Sequence, residues 1–168
     1  MDAVMVRSVR AEDLSGLEQI DQKIFGHLAY PYFVLRQYFD VHQSEILVAE
    51  CEDRLIGYSI AVRSGADSQR DLAHFLALGV DIAQRGQGHG RTLAVETLRS
   101  LDRRGVKRVR LAVEPSNKPA ITLYESLGFV RLRREQEYYG PNEPRFLYEL
   151  MLAAAVYSRD RSSSAVPR

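Results

Sequence analysis

The succession of segments along the chain predicts a mixed α/β sheet flanked by helices. Three observations carry this. Short runs rich in Val, Ile, Leu and Phe alternate with longer stretches of helical periodicity. Two pairs of such runs are joined by tight polar turns, as hairpins are. One run in mid-chain, His74–Val80, is apolar nearly throughout, the mark of a central strand.

Taken in order, Met5–Val9 alternates as a short strand does. Residues 11–25 set Leu14, Leu17, Ile20, Ile24 and Phe25 at helical spacing, with Glu12 and Asp13 in the first turn, where they suit the helix dipole. Pro31 interrupts, and a second helix is expected over Phe33–Asp40. Glu45–Cys51 and Leu55–Val62 read as strands across the turn Glu52-Asp53-Arg54, and Ser64–Arg70 as a polar loop before the central strand. Arg91–Arg104 carries an apolar stripe of Leu93, Val95, Leu98 and Leu101, and Gly105 sits where a C-terminal cap belongs. Then follow a strand over Val106–Val113, a helix over Pro119–Leu127 ending at Gly128, and two strands, Val130–Tyr139 and Arg145–Leu152. Residues 1–152 are expected to form one domain. Residues 153–168, ending SRDRSSSAVPR, hold too little apolar surface to order themselves and are expected to be a flexible tail.

Composition narrows the function. The 168 residues carry 23 basic and 22 acidic side chains, a net charge of +1, so the electrostatic footprint of a nucleic-acid or polybasic membrane binder is missing. Cys51 is the one cysteine, which excludes an intramolecular disulfide and a Cys-rich zinc site and fits a reducing compartment. His27, His42, His74 and His89 are never three or four apart, so no helical metal pair arises and no metal is expected. No apolar stretch reaches the roughly 20 residues of a membrane span, and the N-terminus lacks the apolar core of a secretory signal. The expectation is a cytoplasmic protein, monomeric or homodimeric.

The most informative string is Gln84-Arg85-Gly86-Gln87-Gly88-His89-Gly90, between the central strand and a helix. Gly86 and Gly88 let the backbone turn sharply and approach a ligand, and the unpaired N–H groups opening the next helix face an anion such as phosphate. A tight turn with a glycine-rich cap is the plainer alternative. The dinucleotide fingerprint fails because Arg91 stands where glycine is needed, and the ending of a P-loop is missing, as is a Gly-x-Ser-x-Gly elbow.

Arg85–Gly90 resembles the Arg/Gln-x-x-Gly-x-Gly/Ala signature of the GNAT acetyltransferase superfamily. Its second half is matched by Asn117-Lys118-Pro119-Ala120-Ile121-Thr122-Leu123-Tyr124-Glu125-Ser126-Leu127-Gly128-Phe129. The resemblance covers residues 4–152. It is closest to the branch of N-terminal protein acetyltransferases that includes the ribosomal-protein alanine acetyltransferases, with which Phe25-Gly26, Tyr30-Pro31-Tyr32 and Tyr138-Tyr139 are shared. It implies the GNAT fold, a mostly antiparallel sheet of about seven strands with about four helices, splayed between strands four and five. It implies acetyl-CoA as donor and a primary amine as acceptor: a protein or peptide N-terminus, or alternatively a small amine such as a polyamine, amino acid or aminoglycoside. A non-catalytic acyl-CoA sensor is the third possibility.

By the same resemblance, Leu78, Gly79 and Val80 pair with the pantetheine arm, and the amides of Arg85, Gly86, Gln87, Gly88, His89 and Gly90 hold the pyrophosphate. Asn117 and Tyr124 also contact the cofactor. Asn117 is equally a helix cap on local grounds. The N–H near Val80 serves the oxyanion and Tyr124 protonates the leaving thiolate; read locally, Tyr124 is an amphipathic-helix tyrosine with a buried ring. Ala112 stands where relatives carry a Glu or His base. That turns attention to His74, whose neutral imidazole suits proton transfer at physiological pH, and secondly to Glu114. An α-amine of pKa about 7.7–8.0 needs less help from a base than a lysine near 10.4, which favours α-amine acceptors. Tyr30, Pro31 and Tyr32 on one side and Tyr138 and Tyr139 on the other are expected to wall the acceptor slot. An acidic pocket for a small polyamine has only Asp40, Glu45 and Glu143 to draw on.

Overall fold

The computed structural model describes residues 3–155. In chain order they form β1 (Met5–Ser8), α1 (Leu14–Phe25), α2 (Tyr32–His42), β2 (Ile46–Cys51), β3 (Arg54–Arg63), β4 (Leu72–Val80), α3 (His89–Arg103), β5 (Arg108–Val113), α4 (Lys118–Ser126), β6 (Val130–Glu135) and β7 (Arg145–Met151). The strands make one seven-stranded sheet in the order β1-β2-β3-β4-β5-β7-β6. Only β4 and β5 run parallel among the registered pairs; β1–β2, β2–β3, β5–β7 and β6–β7 are antiparallel. This is the mixed sheet with four helices that the sequence predicts. The β4–β5 register runs from Leu72↔Arg108 to Phe75↔Leu111 and stops, although β4 continues to Val80 and β5 to Val113. There lies the expected splay.

The described residues fall into two compact units, 3–62 with 76–99 and 63–75 with 100–155, so the change of unit within β4 comes where its pairing with β5 ends. In the first, α1 buries Leu14, Leu17 and Ile20 against Leu35, Ile46, Val48, Tyr58 and Ile60. Its first turn is a 3-10 turn, Ala11–Asp13, because the Asp13 carboxylate folds back to accept the Arg10 N–H at 2.7 Å. The same carboxylate takes two bonds from Arg7, at 2.8 and 2.9 Å, and Arg7 reaches Glu50 at 2.6 Å. The β2–β3 turn is shorter than expected. Arg54 already pairs with Cys51, leaving Glu52 and Asp53 as a two-residue turn with φ of 48° and 58°.

In the second unit, β5 and β7 bury Val109, Leu111, Val113, Tyr148 and Leu150, and α4 buries Ile121 and Tyr124. The strand expected to reach Tyr139 ends at Glu135. Turn bonds win over the strand preference of the tyrosines: Gly140 N–H donates to Glu137 O at 3.2 Å and Glu143 N–H to Gly140 O at 3.1 Å. Leu152–Ala154 form a further 3-10 turn and Ala155 is buried; residues 156–168 of the expected tail lie outside the described part. No helix among the described residues is long and apolar enough to cross a membrane.

Candidate active site

In the first unit the candidate residues follow from how β4 ends. Asp81 N–H donates to Ile56 O of β3 at 2.8 Å. Backbone N–H groups alternate along a strand, so that of Val80 points to the opposite edge of β4, away from β3. Gly79, just before Val80, has no room for a side chain, since a Cβ there would come within 2.5 Å of the Tyr58 ring and 3.0 Å of Ile24. The carboxylate of Asp81 then accepts the Ala83 N–H at 3.2 Å and starts a single 3-10 turn, Ile82–Gln84.

The glycine turn has the conformation its sequence demands. Gly86 and Gly88 have φ of 77° and 83°, and a Cβ on either would meet nothing within 4 Å, so glycine is needed there for backbone freedom. α3 starts at His89, earlier than the expected Arg91, and Thr92 N–H donates to Gly88 O at 3.1 Å. The amides ahead of Thr92 thus lack helical acceptors, and with the helix dipole they make this end suited to an anion. Arg85 is exposed, its Nε donating to Val80 O at 3.4 Å. A cavity of about 450 Å³ borders the turn, lined by Gln84, Gln87 and His89 together with Cys51, Glu52, Arg54 and Ile56.

The second unit holds the candidate acid and bases. Tyr124 is buried on α4, its ring edge-on to Phe75 (centroids 6.2 Å apart) and Phe129 (5.6 Å). Burial pushes its phenol well above the ordinary tyrosine value, so it keeps its proton at any physiological pH. Asn117 caps α4 by accepting the Ala120 N–H at 3.3 Å through Oδ1, which is the local reading of its position. His74 lies on β4 opposite Arg110 of β5, and Arg110 opposes Glu149 of β7 and bonds it at 2.6 Å. Desolvation, helped by the Arg110 charge, holds the half-buried imidazole below its ordinary 6.5. The His74 side chain makes no hydrogen bond among the described residues. Glu114 is exposed and its carboxylate takes the Ser116 hydroxyl at 2.9 Å.

The two segments expected to wall the acceptor slot each belong to one unit. Tyr30 is half-buried, whereas Pro31 and Tyr32 are exposed at the start of α2. Tyr138 and Tyr139, 42% and 50% exposed, face one another with centroids 4.9 Å apart, which replaces the one-in, one-out packing of a strand. Arg145, only 6% exposed, stacks on Tyr139 at 4.8 Å and bonds Glu143 at 3.1 Å and Pro144 O at 2.7 Å. Sequence reasoning missed Arg145, and it missed the pairing of Arg110 with His74. Among the described residues no group of His, Cys, Asp and Glu is arranged to hold a metal ion.

A family model described as the acetyltransferase (GNAT) family matches residues 13–129, a span that takes in β4, the glycine turn and α4. The chain belongs to that family. Among curated relatives, this GNAT chain is 38% identical over 96 residues to a mycothiol acetyltransferase of Thermomonospora curvata, a match spanning 57% of this chain and 31% of that one. The chain therefore spans about a third of the length of the mycothiol acetyltransferases it matches first. It is 31% identical over 136 residues to N-alpha-acetyltransferase 30 of Schizosaccharomyces pombe, covering 80% of this chain and 91% of that one. Among solved structures, the ribosomal-protein-S18-alanine N-acetyltransferase of Escherichia coli superimposes with a TM-score of 0.77 over 89% of this chain and 94% of that one, at 23% identity. The GNAT fold predicted from the two motifs is thus the fold found.

Proposed function

We propose that this GNAT protein moves the acetyl group of acetyl-CoA to the free α-amine of a protein or peptide N-terminus by direct attack. The observation that carries the chemistry is the buried, proton-retaining Tyr124 within the segment that resembles the family's second motif. In this reading the amides of Arg85–Gly90 bind the pyrophosphate and Leu78–Val80 pair with the pantetheine arm, aided by Asn117. His74 takes a proton from the incoming ammonium, directly or through water, and the neutral nitrogen attacks the thioester carbonyl. A C–N bond forms, the carbonyl electrons move to oxygen, and the Val80 N–H stabilises the oxyanion. Collapse breaks the C–S bond, the nitrogen gives up its second proton to solvent to leave the neutral amide, and the thiolate takes the Tyr124 proton, which is replaced from solvent.

The choice of acceptor rests on two supports. The N-alpha-acetyltransferase match extends over 91% of that relative. In addition, the three carboxylates open to a polyamine pocket are already engaged: Asp40 with Arg36 at 2.8 Å, Glu45 facing His42 at 3.8 Å, and Glu143 with Arg145. The mycothiol acetyltransferase match favours a second reading, in which the acceptor is the amine of a small molecule. The test is CoA release from acetyl-CoA, followed with a thiol reagent. Peptides varied at their first residues are run beside blocked lysine peptides and a small-amine panel. Turnover with free N-termini supports the proposal. Turnover with small amines alone transfers the assignment to the second reading, and tight acetyl-CoA binding without turnover on any acceptor points to a sensor.

A further inference from the structure

α1 carries Leu14, Leu17, Ile20 and Ile24 toward the core, and on the same stripe it carries a carboxylate, Asp21, only 1% exposed. An ionised group in that place loses its hydration and must be recompensed by donors. Asp21 has two. The Tyr58 hydroxyl donates to Oδ1, and the backbone N–H of Tyr30 donates to Oδ2 at 2.6 Å. No cation is among them. Burial still pushes the carboxyl above the ordinary 3.8, so these donors do not make up for the water it has lost. A leucine at this position would pack with its neighbours and suit stability better, which points to a role other than holding the fold together.

The two donors lie at functionally distinct places. Tyr58 is wholly buried on β3, and its ring fills the space beside Gly79 that a Cβ would need, so Tyr58 packs directly against the β4 backbone at Gly79. Tyr30 closes the connection between α1 and α2, just ahead of Pro31 and Tyr32. Within that connection Ala29 N–H bonds Gly26 O locally, whereas the Tyr30 N–H is tied across to the helix through Asp21. One carboxylate therefore spans from the residue behind Gly79 to the backbone of the loop that bears the tyrosines. We infer that Asp21 is a positioning residue of the acceptor site, setting the α1–α2 loop at a defined place relative to the β4 backbone so that the incoming N-terminus is held in line. This rests on the reading of Tyr30–Tyr32 as an acceptor wall.

The test is steady-state kinetics on the full chain with Asp21→Asn, which removes the charge and one acceptor oxygen at nearly constant volume. The expected result is a KM for the peptide raised about tenfold, with the KM for acetyl-CoA within about twofold of the wild type and the melting temperature little changed. Asp21→Glu, which keeps the carboxylate, is expected to recover part of the loss. An unchanged peptide KM, or equal losses toward both substrates together with a lowered melting temperature, overturns the inference. Where Asp21→Asn fails to fold, Tyr58→Phe serves: it frees one carboxylate oxygen, and faster amide exchange across residues 27–31 with a higher peptide KM is expected. Unchanged exchange and KM in that variant overturn the inference. If the wild type acetylates no free N-terminus, the acceptor assignment and this inference fall together. If it does and the variants keep its peptide KM, only this inference falls.

Discussion

A phenol acts as an acid only while it holds its proton, and the burial of Tyr124 between Phe75 and Phe129 secures that. Tyr124→Phe removes one hydroxyl from a packed ring. Its expected effect is a fall in kcat of about 10²- to 10⁴-fold with thermal stability retained, measured by CoA release and a melting curve. In the proposed mechanism His74 is the base. Desolvation and Arg110 hold its imidazole below 6.5, so the neutral form predominates at physiological pH. In the proposed mechanism kcat/KM then rises with pH to a plateau reached near neutrality, and His74→Ala loses that limb. Arg110→Ala takes away a positive charge and leaves Glu149 without its 2.6 Å partner. Both changes favour the protonated imidazole, so the limb moves to higher pH in a profile taken from about pH 5 to 9. The sequence already pointed to Tyr124 and Asn117 as candidates through the motif that holds them, and to His74 through the family resemblance once Ala112 offered no base. Asp21 was not singled out from the sequence: its burial on α1 and its partner on β3 emerge only from the fold.

At the scale of elements, two turns and one strand show how local chemistry sets the site. Gly79 has the Tyr58 ring where a side chain would go, and Gly79→Ala overpacks that contact. A loss of about 1–3 kcal/mol in urea unfolding is expected, together with weaker acetyl-CoA binding as β4 shifts. The β2–β3 turn errs the other way, with Glu52 and Asp53 both at positive φ, where Asn-Gly is the favoured pair. Replacing them with Asn and Gly is expected to raise stability by about 1 kcal/mol, read from the midpoint of denaturation. Element types were legible from periodicity in each case, and most ends fell within a residue or two. The exception, residues 136–139, carried two tyrosines that read as strand. Bonds around Gly140 and Glu143 made it a turn, and a preference for strand is a statement about packing partners that this segment does not have.

For the molecule as a whole, a half-buried and a buried carboxylate pull the pH dependence of stability in opposite directions. Arg7 bonds Asp13 and holds its carboxyl below the ordinary 3.8, so its stabilisation is present above that pH and is lost as pH falls through the lower, folded-state value. Asp21, raised by burial, has the reverse sign: it favours the fold at low pH, and that contribution is lost as pH rises through its raised value. Arg7→Met is expected to cost about 2 kcal/mol near pH 7, with a smaller difference from the wild type at about pH 3, measured by urea unfolding at both. By itself the sequence determined the strand and helix order, the glycine turn at the head of α3, the family and the candidate acid, because periodicity, positive φ and short motifs are local properties of a chain. Only the tertiary structure decided that β4 parts from β5 after Phe75, that Arg110 lies against His74, that Arg145 supports Tyr139, and that Asp21 joins Tyr30 to Tyr58. Those facts depend on strand register and on packing between residues as far as 37 positions apart, and a shift of one residue in a strand would turn each of those side chains to the other face.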